Sequence, residues 1–259
     1  GMDEKSAVRI PAGITLDGNL NADGMRYTAD MIMRQDSGRI ALNGLFDMEA
    51  QLYEAVLDVD SVNINNFMPN DSLYHFSGNV TVHGKGFDFF DKRTLLTAKA
   101  EITQFIYGSW NLNDVKADAN VADGRAQVNI VSHNQLADGT VGLDALIDTS
   151  RVDATFSTDL RKADFYRLRI VEKPLTASIC AHIDVASDLD QYHKLEGSHS
   201  DITLRGEKKT FRPADITVDM LTRTDTTWAK LNSGNLELDL KASGGYMTLI
   251  DQVTALGDE

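Results

Sequence analysis

The chain has 259 residues, of which 42% are hydrophobic and 25% charged, enough apolar material for a structured core and too much for a disordered or fibrous chain. Lys and Arg number 25 against 39 Asp and Glu, a net charge of -14 with no basic run, which excludes the clustered cationic footprint of a nucleic-acid binder. One cysteine, Cys180, excludes an intrachain disulfide framework and a cysteine-rich zinc site.

From the N-terminus, the abrupt start at Gly1-Met2 reads as an excised segment whose export signal or anchor lies outside it. No apolar stretch approaches the ~20 residues of a membrane-spanning helix. Apolar residues then recur at every second position, in Ile14, Leu16 and Leu20, and in Tyr27, Ala29, Met31 and Met33. That period places alternate side chains on opposite faces of a strand.

Asp60 is expected to cap a short helical turn, SVNINNF, and Asp159 an equivalent one, LRKADFY. His75 and His83 could share a strand face, but no third ligand accompanies them. HGKGFDFF lacks the helix and remaining glycine of a phosphate loop and reads as a tight turn or bulge.

The alternation is clearest in the middle of the chain. Val115, Ala117, Ala119 and Val121 precede a turn at ADG, then come Ala126, Val128 and Ile130, and then Val141, Leu143 and Ala145. Val152, Ala154 and Phe156 follow, then Ile179, Ala181 and Ile183, Ile216, Val218 and Met220, and Leu236, Leu238 and Leu240. Cys180 falls on the face opposite Ile179 and Ala181, with no neighbouring base to activate it. GSHSD at 197–201 holds Ser, His and Asp without the separated geometry or the G-x-S-x-G elbow of a hydrolase. Tyr246, Leu249, Ile250, Val253 and Leu256 fit one helical face, either a packed lid or a frayed end at 246–259.

Residues 57–82 align with 156–181 at a shift of 99, and later segments at 100 and 101, so the chain divides into a β-domain over 1–245 with units 1–56 (partial), 57–155 and 156–245. The expected fold is all-β: an elongated, curled, mostly antiparallel sheet of repeating units with short helical turns. Many inward positions are alanine, so the sheet either packs closely on another layer or curls around a volume its side chains do not fill. In the second case Val115, Ala117, Ala119, Val121, Val128, Ile130, Val141, Leu143, Ala145, Val152, Ala154, Phe156, Ile179, Ala181, Ile183, Ile216, Val218, Met220, Leu236, Leu238 and Leu240 line an apolar groove for acyl chains. No catalytic, metal or cofactor site is expected.

Gly-punctuated alternating strands, the D-L-x-x-A-D-F-Y turn at 159–166 and the period near 100 resemble the AsmA-like superfamily, in particular the TamB family of translocation and assembly module proteins. TAKAEITQFIYGSWNLNDVKADANVADGRAQVNI, GLDALIDTSRVDATFSTDLRKADFYRL and VEKPLTASICAHIDVAS are similar to its Bacteroidetes branch. The resemblance implies a β-taco groove passing phospholipid toward the outer membrane. It also implies a periplasmic body, an inner-membrane anchor and an Omp85-type outer-membrane partner, the last two met through regions outside this chain. A structural or chaperone-like β-scaffold for outer-membrane proteins is the alternative.

Overall fold

The structure, a computed structural model, describes residues 10–69 and 72–245. The C-terminal helix expected over 246–259 lies outside the described residues. In chain order the strands are β1 (Ile14–Asp23), β2 (Arg26–Gln35), β3 (Gly38–Asp47), β4 (Leu52–Asn63), β5 (Leu73–Lys85), β6 (Leu95–Tyr107), β7 (Trp110–Asn111), β8 (Val115–Ala122) and β9 (Arg125–His133). They continue as β10 (Ala137–Asp148), β11 (Arg151–Asp164), β12 (Leu175–Ser187), β13 (His193–Gly206), β14 (Thr210–Phe211), β15 (Ile216–Thr222), β16 (Thr226–Ser233) and β17 (Leu236–Ser243).

All of them join one antiparallel sheet that is curled, elongated and not closed. Each long strand pairs with the long strand before it and the one after it, while the two-residue strands β7 and β14 add to β6 and β13. Such a meander follows from short turns: the two-residue loop Asp123-Gly124 has φ of +53° and +73°, the left-handed pair that closes a tight hairpin with the right twist. Fifteen long strands at about 4.8 Å each give a sheet on the order of 70 Å along the stacking direction.

No second layer stands against either face among the described residues, and every substantial contact between strands is between ladder neighbours. The fully buried side chains are accordingly not those of a layered core. Leu136 and Thr94 sit in the loops before β10 and β6, and Thr222 and Thr227 flank the β15–β16 turn, where their hydroxyls bond at 2.7 Å.

The repeat is present element for element. Strands β3 to β9 recur as β10 to β16, their starts 99, 99, 102, 98, 100, 101 and 101 residues apart, and β17 follows in the place of β10. The unit boundaries at 56/57 and 155/156 fall inside β4 and β11, so whole strands delimit the recurring unit better.

Asp60 and Asp159 are not helix caps, contrary to the expectation from sequence. Both lie within strands, Asp60 in a bulge of β4 and Asp159 opposite Cys180 in β11. Residues 60 and 61 together oppose one residue of β5, and 161 and 162 one residue of β12, so the alternation slips by one. Val62 opposite Phe76 and Ala163 opposite Ala177 thereby return to the apolar face. The helical turns begin only after these bulges. Asn63 caps the 3-10 turn Ile64–Asn66 through a 3.2 Å bond from Asn65 N–H to its Oδ1, and Asp164 Oδ1 accepts from Arg167 N–H at 3.0 Å.

Gly38 and Gly139 both approach the backbone of the next strand near these bulges, although by pairing Gly139, opposite Leu160, corresponds to Ile40, opposite Val59. A Cβ at Gly38 would lie 3.0 Å from the carbonyl oxygen of Ser61, and one at Gly139, whose φ is +153°, only 2.2 Å from that of Asp159. Gly38 opens β3, whereas Gly139 stands two residues inside β10.

Candidate functional site

The ladder register sorts the two faces. Ala98, Ala119, Val128, Leu143, Phe156 and Ile183 form one continuous row across β6 and β8 to β12, and Ala100, Ala117, Ile130 and Val141 form the row beside it. Val121, Ala145 and Ala154 share a third row, Val115 lies opposite Ile102, Val152 opposite Ile147, and Ile179 opposite Leu160. Ala181 connects through His199 to Ile216, while Val218 and Met220 connect through β16 to Leu238 and Leu240, with Leu236 opposite Ser233. Every residue named from the sequence as groove lining therefore lies on a single face.

That face extends further than the sequence reading carried it. Leu16, Met33, Ile40 and Val59 form a row across β1 to β4, and Met31, Leu42, Leu57 and Val80 another. The same alternation marks these residues in the sequence, but their membership of one surface depends on the register in which successive strands pair. Phe87 carried no periodic signal. It leaves the β5–β6 loop to stack on Phe46 and Tyr53, with ring centroids 5.6 and 5.8 Å away, over one end of the face.

The face is broken by small or polar residues. Gly78 and Gly84 lie in β5, and Tyr53 fills the space beside Gly84, where an added Cβ would fall 2.3 Å from its ring. His193, His199 and Ser233 interrupt it on the C-terminal side. The Nδ1 of His199 is buried without a hydrogen-bond partner.

The opposite face is polar and tied by ion pairs across strands. Arg125 donates to Asp144 through Nε at 2.7 Å and also through Nη2, while Gln127 adds a bond of 3.0 Å. Lys116 meets Glu101 at 2.7 Å and Arg39 meets Asp58 at 3.3 Å. Exposed pairs of this kind each contribute little to stability, but together they hold the charged side chains to one side of the sheet. An indentation of about 430 Å³ opens there, lined by Thr97, Lys99, Asp118, Asp144 and Ser157, with Gly142 leaving a gap among them.

The Arg125 guanidinium, followed by the Gln127 amide, holds the Asp144 carboxyl at about 2. A carboxyl whose folded pKa lies below its unfolded value contributes stability in full above about pH 4 and loses it as the pH falls through about 2. In a titration followed by NMR, Asp144 should remain ionised to about pH 2, and Arg125→Ala should move its midpoint up toward the ordinary carboxylate range. An unmoved midpoint would show that Arg125 is not the cause.

Elsewhere Asp138 gathers Arg161 at 2.6 Å and His133 at 3.1 Å. No group of three metal-ligating side chains comes together among the described residues. His75 and His83 share the polar side of β5 but stand eight residues, about 26 Å, apart. Ser198 and His199 project to opposite faces of β13, so GSHSD assembles no triad. Desolvation, then the neighbouring Asp159, pushes the Cys180 thiol up and away from thiolate chemistry. Trp110 is committed to the carbonyl of Arg167 at 2.7 Å, and Trp228 lies opposite Lys241 on the polar side.

The fold and site define an open, single-layer antiparallel meander with one apolar and one charged face. Comparisons with protein-family models, with curated proteins and with solved structures give no match to this chain.

Proposed function

We propose that the chain is a non-enzymatic, lipid-carrying segment of a cell-envelope protein, with the apolar face on the inside of the curl as a trough for phospholipid acyl chains. The observation that carries this reading is an apolar face that runs across all fifteen long strands, interrupted at a few glycine, histidine and serine positions, and covered by no second layer among the described residues. Each methylene withdrawn from water is worth about 0.8 kcal/mol, so ten contribute roughly 8 kcal/mol without any shaped pocket. Ala145 and Ala181 lie low on this face, with 5% and 9% exposure.

The resemblance to the TamB family implies a periplasmic position for such a segment, between an inner-membrane anchor and an Omp85-type outer-membrane partner, both engaged through regions outside this chain. The test is a photo-crosslinking residue placed at Leu143, on the apolar face, or at Asn120, on the polar face, in protein mixed with phosphatidylethanolamine vesicles. Phospholipid adducts should form at position 143 and not at 120. Equal labelling at both, or none at 143, would sink the trough and favour a β-scaffold.

A further inference from the structure

The loop between β5 and β6 is where the two units differ most in length: it runs over nine residues, 86–94, against five, 188–192, between β12 and β13. The longer loop carries Phe87, Phe89 and Phe90. Phe87 turns back onto the apolar face, while Phe89 and Phe90 each remain 48% exposed. That exposure is built in. Thr94, 2% exposed, donates through Oγ1 to the carbonyl of Asp88 and through its N–H to that of Asp91, the latter at 2.9 Å. Asp88 Oδ1 accepts from Phe90 N–H and Asp91 Oδ1 from Arg93 N–H, both at 2.9 Å. Two carboxylates and one buried hydroxyl thus hold the loop in a fixed shape, with both rings half in solvent.

The loop does not stand alone. Gly86 N–H bonds to the carbonyl of Gln51 in the β3–β4 turn at 2.8 Å, and Met48 N–H of that turn bonds to the carbonyl of Met25 in the β1–β2 turn at 3.0 Å. Three turns at one end of the sheet are therefore joined backbone to backbone, and Met25 and Met48 are about as exposed as the two rings. The other turns at this end, 123–124, 149–150, 188–192 and 223–225, expose no large apolar side chain except Leu189. The limits of the described residues lie elsewhere. Ile10 and Ser72 precede β1 and β5 at the opposite end of the strands, and Gly245 follows β17, the fifteenth long strand where β5 is the fifth.

Apolar side chains at the tips of linked hairpins suit an interface they can enter, and a bilayer surface takes such residues at the boundary of headgroups and acyl chains. Phe87 makes these tips continuous with the apolar face through its stacking on Phe46 and Tyr53. Charge narrows the surface further. A recess of about 800 Å³ beside Phe87 is lined by Lys85 and Arg93 together with Asp88 and Asp91, both signs of a zwitterionic headgroup. The net charge of -14 opposes an anionic membrane. We propose that the joined β1–β2, β3–β4 and β5–β6 turns dock this end of the sheet on a zwitterionic phospholipid bilayer, with Phe89 and Phe90 entering the interface. The inference rests on the turns and not on the trough, although a trough opening beside them would meet the membrane there.

The full chain should float with phosphatidylcholine vesicles, and added phosphatidylglycerol should not strengthen the binding. Phe89→Ser combined with Phe90→Ser should weaken it about tenfold or more with far-UV circular dichroism unchanged, since each ring withdraws apolar area from water. Phe90→Trp should shift its emission to the blue on vesicles and be quenched by brominated phosphatidylcholine, whereas Thr224→Trp, in the β15–β16 turn, should do neither. A chain that ignores neutral vesicles overturns the proposal, whether its rings belong to a protein partner or are covered by residues before Ile10 or after Gly245. So does binding to anionic vesicles alone, or flotation that the paired serine variant leaves unchanged. Flotation that persists when Leu143 fails to crosslink phospholipid would keep the docking and sink the trough by itself.

Discussion

Replacing Val141 with glutamate is expected to reduce phospholipid crosslinking at Leu143 by tenfold or more while the protein keeps its far-UV circular dichroism and melts cooperatively. Val141 lies between Ile130 and Thr158 in the middle of the apolar face, and no second layer packs over it among the described residues. A carboxylate there can draw water to itself rather than being sealed in a dry interior, so folding is spared. An acyl chain in the same place would have to displace that water or pass a charge, which costs several kcal/mol in an apolar channel. Ala119→Arg should behave alike from the neighbouring strands. Asp118→Arg is the matching control, because Asp118 projects from the polar face beside Lys99. Gly142→Ser is a poorer control than its outward position suggests, since its new Cβ would fall 2.8 Å from Ser157 Oγ. If Val141→Glu and Ala119→Arg instead unfold the protein, the face is a close-packed core, and if both stay folded with unchanged labelling, acyl chains do not use it.

Gly139→Ala should be the most destabilising single methyl in the repeat, costing about 2 kcal/mol or more in urea unfolding. The backbone at Gly139 has φ of +153°, and the added Cβ would lie 2.2 Å from the carbonyl oxygen of Asp159 and 2.8 Å from Leu160 Cα, both of which are backbone atoms in a paired strand. Neither can rotate away as a side chain would. Gly38→Ala, at the start of β3, meets Ser61 O at 3.0 Å and should cost less. Gly197→Ala, where the nearest atom is Ile183 Cγ1 at 3.6 Å, should be close to neutral. A Gly139→Ala midpoint no lower than that of Gly197→Ala would remove the argument from close approach.

Much of this architecture was legible before any coordinates. In an extended chain, side chains alternate between two faces by covalent geometry alone, so Ala117, Ala119 and Val121 share a side whatever they pair with. The Asp-Gly turn at 123–124, the near-100-residue recurrence and the all-β class follow from the same local rules. The register across strands was only implied by that pattern, since a one-residue slip would have sent the whole set to the charged side. Its realisation from Leu16 to Leu240 depended on ladders that close between separate segments.

Tertiary pairing decided what local rules cannot reach. The bulges at 60–61 and 161–162 extend β4 and β11 past Asp60 and Asp159, because an extra residue restores Val62 and Ala163 to the apolar side and makes a longer ladder possible. From the chain alone the same stretch looks like broken alternation, and a capped turn is the natural reading. The stacking of Phe87 on Phe46 and Tyr53 joins residues brought close only by the β3–β4–β5 meander. An alternating strand has the same pattern whether its apolar side meets a second sheet or none. The choice between a sandwich and an open single layer therefore rested on tertiary pairing: each long strand found its partners in the strands before and after it, and none among the described residues was left to form a covering layer.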